Sequence, residues 1–403
     1  MPANFVIPGI RLARVPPLVL FYFMFIYQSL VFIALLFFCG MVFRNLKDYA
    51  VLPLDIIPPR PEEKLIVLIP ARNEVENIAL CLEGVLNQTL DNYSVIVLDD
   101  SSDDGTDGIV EDIVAKDLRV ALMRGKPIEP GWAGKVWACS QLGEEALKRG
   151  ADWLLFLDAD TRAQPGLLQT ALAHGQETGA GMVSAFPYQV TGSFWERVVL
   201  PNLHFFILTF LPIRMIWESP IPSIAAACGQ VELFSADAYR RSGGHAGIPA
   251  SFHDGLQLAR KVKAAGGIVR LFDGNALISC RMYVGGRAVW QGFTRNAYEG
   301  LGSIGALLAM SSLQLLLFLF PYLFLAYWVA LGVFQLHWQS WGWFCLAQVA
   351  LIALQRCAQA KRFGHPESVP LHPRSMLALV SIEWASFLKA KRKSKITWKG
   401  RSY

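Results

Sequence analysis

Residues 17 to 43, PLVLFYFMFIYQSLVFIALLFFCGMVF, hold no charged side chain. A helix needs roughly 20 apolar residues to cross a bilayer, and a signal peptide would have a shorter apolar core followed by a small-residue cleavage site. The stretch therefore reads as a retained anchor, with residues 1 to 48 as an N-terminal membrane unit. Composition agrees: the chain is 53% hydrophobic and 17% charged, where an ordinary soluble protein carries about 25% charge. Apolar residues return from Ser303 to about Leu336. After a polar break at His337 to Ser340, WGWFCLAQVALIALQRCAQA runs to Lys361 and Arg362. Residues 303 to 362 thus predict two spanning helices. The segment SMLALVSIEWASFLKA (375 to 390) is shorter, contains Glu383 and leads into KRKSKITWKGRSY, so 363 to 403 predict an interfacial or re-entrant segment with a basic tail.

Positive charge gathers at Arg44 and Lys47, at Lys361 and Arg362, and along that tail. By the positive-inside rule the domain between the apolar regions faces the cytoplasm; Arg11 and Arg14, ahead of the first stretch, pull the other way. The net charge of +5 lies beside membrane-flanking segments, which points to anionic lipid and away from nucleic acid. The seven cysteines form no CxxC pair, so neither a zinc site nor a disulfide framework is indicated.

The middle of the chain, 62 to 283, carries ordinary charge and reads as one soluble domain. Three segments repeat a plan of apolar strand, polar loop and helix: KLIVLIPARNEVENIALCLEGVLNQ, SVIVLDDSSDDGTDGIVEDIVAK and ADWLLFLDADTRAQPGLLQTAL. Such units build a parallel sheet with helices on its faces. In such a sheet ligands bind outside the carboxyl ends of the strands. Arg72, Asn73 and Glu74, then Asp99 and Asp100, then Asp158 and Asp160 are expected to converge there. Two carboxylates one residue apart, Asp158 and Asp160, suit a hard divalent cation shared with substrate phosphates; an isolated pair of this kind would otherwise read as a solvated loop.

VLIPARNE, VLDDSSDDGT and LFLDAD, continued by GWAGKVWAC, SGG, HDGLQLARKVKAAGG and CRMY, resemble family 2 glycosyltransferases of the GT-A fold, inverting enzymes that use nucleotide-sugar donors. The resemblance covers roughly 65 to 300. With an anchor before the domain, apolar helices after it and WKGRSY at the end, it is similar to the carotenoid and hopene-associated glycosyltransferases. It implies an α/β, Rossmann-like, mostly parallel sheet in a cytoplasmic domain, with transmembrane helices at both ends, in a membrane of the bacterial inner-membrane type. It also implies a UDP-sugar donor, a lipid acceptor and Mg²⁺ or Mn²⁺ at Asp158 and Asp160, with Pro70, Arg72, Glu74, Asp99, Asp100 and Asp158 around the nucleotide.

The family places an acidic pair about 90 residues after the metal motif, the second acid acting as base. Here His253 and Asp254 stand there, in SFHDGLQLARKVKAAGG. Asp254 opens a helix, so it reads either as a base for the acceptor hydroxyl or as a helix cap. His253 would tune the base, touch the acceptor or merely pack. Lys135, after two glycines in GWAGKVWAC, would close over the donor from a loop or sit on the surface. Arg295, in VWQGFTRNAYEG, falls on an amphipathic interfacial helix (284 to 302) near the place of the Gln-x-x-Arg-Trp motif of processive members. Asn296 replaces the tryptophan, which argues against a polymerase; the arginine would meet donor phosphate or lipid phosphate. VVLPNLHFFILTFLPIRMIW (198 to 217) reads as a membrane-dipping segment beside the acceptor entrance or as a buried helix, with Trp195, Trp217 and Trp290 at headgroup depth. The expected function is transfer of a hexose from a UDP-sugar to a hydroxyl of a carotenoid or hopanoid-like lipid. The alternatives are a polyprenyl-phosphate glycosyltransferase and a non-catalytic GT-A scaffold.

Overall fold

Strand Leu65–Ala71 (β1) shows how the sheet is built. Its residues alternate between two apolar clusters, Ile66 and Leu68 on one face and Leu65, Val67 and Ile69 on the other. Strand Trp153–Leu157 (β4) does the same with Leu154 and Phe156 against Trp153, Leu155 and Leu157. Successive side chains of a strand point to opposite faces, so continuous apolar runs are what a sheet covered on both sides requires. The computed structural model describes residues 17–53, 55–335, 338–392, 397–398 and 401–402; Arg11, Arg14, His337 and much of the basic tail, which entered the charge and boundary arguments, lie outside them.

With β2 Tyr93–Asp99, β3 Val120–Arg124, β5 Met182–Phe186, β6 Val231–Ser235 and β7 Val269–Asp273, these strands form a seven-stranded sheet of order β3-β2-β1-β4-β6-β5-β7. All neighbours are parallel except β6, which runs antiparallel to both β4 and β5. Ala71 pairs with Asp99 and Leu68 with Phe156, so β1, β2 and β4 end at one edge. The reversed β6 begins at that edge, Val231 pairing with Leu157. Its lead-in, Cys228 to Gln230, therefore joins the three loops.

Helices α1 Pro17–Asp48, α2 Ile78–Leu86, α3 Thr106–Val114, α4 Gly134–Lys148 and α5 Leu167–Thr178 follow in order. Ile78, Leu82, Val110 and Leu172 from α2, α3 and α5 cover one face of the sheet; Val136 and Leu142 from α4 cover the other. A small sheet of Thr161–Ala163, Tyr188–Gln189 and Ile278–Cys280 flanks the edge.

The segment 198 to 217 does not form one span. It breaks into parts of α6 Phe194–Val199, α7 Asn202–Phe210 and α8 Arg214–Glu218. Prolines Pro201 and Pro212 interrupt it, as a missing N–H and a fixed φ do. Phe205, Leu208, Ile213 and Ile216 are buried, and Asn45 of α1 donates to the Leu208 and Leu211 carbonyls at 2.7 and 2.8 Å while accepting from the Ile213 N–H at 3.0 Å. It is a buried layer between sheet and α1. Trp217, expected at headgroup depth, instead lies under the Arg270 guanidinium, 4.8 Å from its ring centre; Trp195 and Trp290 stay exposed.

After α9 Ala236–Ser242 and α10 Asp254–Ala264 come α11 Gly286–Leu301, α12 Ile304–Leu313, α13 Phe320–Gln335, α14 Gly342–Phe363 and α15 His372–Lys391. A π-helical turn, Gln314–Leu319, joins α12 to α13. Among the described residues two helices are long and apolar enough to cross a membrane, Phe21–Asp48 and Ile304–Phe334. The helix α14 carries Gln348, Gln355, Arg356 and Gln359 on its buried side. The segment expected at 375 to 390 is a 20-residue helix with Glu383 buried, accepting from Gln314 Nε2 at 2.5 Å and Ser311 Oγ at 3.3 Å.

Candidate active site

The loops at the shared sheet edge, with α4, α10 and α11, enclose a cleft of about 700 Å³. Pro70, Arg72 and Glu74 enter from the end of β1, Asp100 from β2, Asp158 and Asp160 from β4, Lys135 from α4, His253 and Asp254 from the start of α10, and Arg295 from α11. Of the residues expected to converge there, Asn73 and Asp99 are not brought to the cleft wall. The Asn73 N–H donates to Ser102 Oγ at 3.0 Å. Asp99 faces Arg124, 3.4 Å away, and accepts weakly from the Ser102 N–H, so it shapes the loop that presents Asp100. Arg72 donates to the backbone oxygens of Asp100 and Ser101, tying the first two loops together.

Lys135 differs most from expectation. It lies on no loop but is the second residue of α4, and its ammonium stands between three acceptors: Asp158 Oδ1 at 2.7 Å, Asp254 Oδ2 at 2.9 Å and the Gly229 carbonyl at 2.9 Å. One cation thus links the metal motif to the proposed base. Burial works against its charge, but Asp158 and Asp254 outweigh it and hold the amine well above the usual lysine range. Burial raises the Asp158 carboxyl; Lys135 opposes this and Asp160 and Asp254 reinforce it, leaving it at about 7. For Asp254 burial acts upward, yet Lys135 prevails and keeps it below the usual carboxylate range. Crowded like charges of this kind favour a bound cation.

Gly229 permits the arrangement. A Cβ there would lie 2.4 Å from Asp254 Oδ1, so only glycine lets the β6 lead-in pass the carboxylate. His253 caps the backbone start of α10 without a side-chain cap bond; burial lowers its pKa, so it is a neutral imidazole against Gly300 of α11.

Residues 66–241 match the sequence model described as Glycosyl transferase family 2. That segment, similar to family 2 glycosyltransferases, holds the strand ends that carry Pro70, Arg72, Asp100, Asp158 and Asp160. Among curated proteins, the chain is 26% identical over 274 residues to a 4,4'-diaponeurosporenoate glycosyltransferase of Staphylococcus haemolyticus, covering 64% of this chain and 70% of that one. It is 26% identical over 242 residues to the protein of the same description from Staphylococcus aureus, covering 59% of this chain and 62% of that one. Among solved structures, a mannosyltransferase from Pyrobaculum calidifontis in complex with GDP-Man and Mn²⁺ superposes with a TM-score of 0.55 at 17% identity, covering 93% of this chain and 99% of that one. The fold is GT-A.

Within the cleft, Asp158 and Asp160 fit a divalent cation. Asp160 Oδ1 is buried with no hydrogen-bond partner. Among the described residues no three His, Cys, Asp or Glu side chains gather as a ready metal site, so the remaining ligands would be donor oxygens and water. Arg295 Nε is likewise buried without a bond, and the arginine shares the cleft wall with Gln291 and Asn296.

Sequence reasoning passed over Glu232. It lies on β6, 1% exposed, with Oε1 unbonded and 2.9 Å from where a Cβ on Gly255 would be. Burial, then Asp254, push its carboxyl well above the usual range. The signal was an acid in the apolar run Val231 to Phe234. Glu299 was also passed over; it accepts from Ser251 Oγ at 2.6 Å and the Phe252 N–H at 3.1 Å, fixing the loop before Asp254 to α11.

Proposed function

We propose that the protein is a membrane-bound inverting glycosyltransferase that moves a hexose from a UDP-sugar to a hydroxyl of a hydrophobic lipid, carotenoid or hopanoid-like. The observation that carries this reading is the convergence of Asp158, Asp160, Lys135, Asp254 and Arg295 on one cleft. The curated relatives' acceptor and the helices Phe21–Asp48 and Ile304–Phe334 support a lipid substrate. In this reading the sheet domain lies in the cytoplasm.

Mg²⁺ or Mn²⁺, when bound at Asp158 and Asp160, would neutralise the donor diphosphate. Arg72, Glu74 and Asp100 would border the nucleotide. Asp254 accepts the proton of the acceptor hydroxyl as its oxygen attacks the anomeric carbon and the sugar–phosphate bond breaks. Held at a depressed pKa, Asp254 stays ionised at neutral pH but is a weak base. Most of the acceleration must then come from placing the acceptor and from cationic groups near the departing diphosphate, which assigns Arg295 to the diphosphate.

A second reading follows from the Lys135–Asp254 ion pair and from the relatives' name, since diaponeurosporenoate denotes a carboxylate. An anionic acceptor, carboxylate or polyprenyl phosphate, brings its own nucleophilic oxygen and needs no base. Asp254→Asn separates the two. With a hydroxyl acceptor, turnover falls by about 10²- to 10⁴-fold while UDP-sugar binding by calorimetry is kept. Unchanged turnover rejects the hydroxyl reading. Product analysis of lipid extracts by mass spectrometry identifies the acceptor, and chelation by EDTA is expected to abolish donor turnover until Mg²⁺ or Mn²⁺ is returned.

A further inference from the structure

A second set of polar side chains lies outside the cleft, where α7, α14 and α15 meet. Arg356 of α14 is 1% exposed, yet its Nε and Nη2 have no hydrogen-bond partner; only Nη1 is engaged, donating to Gln359 Oε1 at 3.2 Å. Its guanidinium lies 5.0 Å from the centre of the Phe205 ring, and the His372 ring lies 5.2 Å from the same ring. His204, next to Phe205, stacks on Phe363 with centres 3.9 Å apart. Both nitrogens of His204, both of His372, and both polar atoms of Gln355 are buried and unbonded. Four unsatisfied nitrogens on two histidines near a guanidinium with two of its three nitrogens unbonded are not scattered exceptions, because native structures pair nearly all such groups.

The group is one-sided in charge. Among the described residues no carboxylate bonds to Arg356. Burial, then His365 and Arg356, lower His204 to about 3, so it is neutral and offers one donor. Arg356 therefore carries an uncompensated positive charge in an apolar setting, the arrangement that structures resolve by pairing. Water could take up the N–H groups but leaves the charge. A guanidinium with free Nε and Nη2 presents the fork that grips an oxyanion through two parallel bonds.

Depth points to the source. Arg362, near the end of α14, bonds Asp273 of the sheet at 2.6 Å and the Tyr49 carbonyl at 3.0 Å. Arg356 lies six residues earlier, about 9 Å along the axis at 1.5 Å per residue, on the apolar-helix side of that junction. From these observations we infer that Arg356, with His204 and His372, forms an oxyanion site between α7, α14 and α15 that takes a phosphate, delivered as an anionic lipid headgroup or as free phosphate.

The full-length protein in neutral detergent tests this by thermal unfolding with phosphatidylglycerol, phosphatidylcholine or inorganic phosphate. Phosphatidylglycerol, and not phosphatidylcholine, is expected to raise the midpoint of the wild type. A rise with inorganic phosphate alone supports the same site with a free ligand. Arg356→Met is expected to lose the response while being at least as stable as the wild type in neutral detergent, because it removes an unpaired buried charge. No response of the wild type to either anion, or a full response retained in Arg356→Met, overturns the inference. Native mass spectrometry of the wild type needs no variant: one retained phosphatidylglycerol or phosphate supports the site, and no adduct after incubation with both overturns it.

Discussion

At the scale of single residues, the cleft depends on a glycine and a lysine that bear no catalytic signature of their own. Gly229 yields its side-chain space to Asp254 Oδ1 and its carbonyl to Lys135. Gly229→Ala must move the carboxylate, and displacements of about 1 Å at a reacting group cost about 100-fold in rate; turnover should fall by that order while UDP-sugar affinity changes little, measured as a split between kcat and donor KM. Asp99, Asp100, Asp158 and Asp160 could be picked out from sequence because each pair follows an apolar run that reads as a strand, and strands of one parallel sheet end together, whereas Asp254 opens a helix and was singled out by the family resemblance. The role of Lys135 could not. Its partners lie 23 and 119 positions away in the chain, and no local pattern distinguishes a lysine that turns inward from one that faces water. Glu232 was hidden for the opposite reason: in an alternating strand an acid is read as the solvent side, and here both sides are covered.

At the scale of elements, α11 forms one wall of the cleft. It is held at both ends by carboxylates. At its start, Glu196, fully buried, accepts from the Gly192 and Gly285 N–H groups at 2.6 Å each; Gly285 has φ 84°, a conformation natural only to glycine. At its far end Glu299 holds the loop before Asp254, and along its back Lys389 of α15 donates to Thr294 Oγ1 at 2.5 Å. Burial works against the Glu196 charge, but the two N–H groups prevail and bring it down to about 2. A carboxylate whose folded pKa is depressed adds stability that is complete above the unfolded value, near 4.5, and is lost as pH falls towards 2. Wild-type stability should drop through that window, and Glu196→Gln, already weaker at pH 7, should drop less steeply; circular dichroism melts at stepped pH measure both. Amphipathicity announced α11 as a helix, and the sequence placed Arg295 on it. That its polar face meets the cleft and its other face meets α15 depends on α15 being a packed helix, which its polar Glu383 disguised: the partners Ser311 and Gln314 lie about 70 positions upstream.

At the scale of the whole molecule, the anchor, the sheet and the C-terminal helices are joined at one guanidinium. Arg362 Nε bonds Asp273 Oδ2 at 2.6 Å at the end of β7, and Nη2 bonds the Tyr49 carbonyl at 3.0 Å just past α1. Asp273 is 7% exposed, so Arg362→Met strands a buried carboxylate. The expected loss is about 3 kcal/mol, the lower end for breaking a buried pair, because Asp273 Oδ1 still accepts from the Asn275 N–H. Chemical denaturation should show that loss, and Asp273→Asn combined with Arg362→Met should recover part of it. The architecture of three strand-loop-helix units between apolar ends was legible from periodicity alone. The segment 198 to 217 was not, since a Pro-broken apolar run suits a membrane surface and a protein interior equally, and only the bonds from Asn45 decide between them.

That three-way clasp has a further consequence. Because this clasp ties the sheet to the helices on both sides, it cannot ride up or down relative to them without breaking bonds on a buried charge. Under the proposed function, with α1 and the helix through 304 to 334 embedded, the sugar would be handed over at a set height above the lipid. Such a protein works as a ruler: among chemically equivalent acceptor groups, it would take those whose tails let them stand at that height.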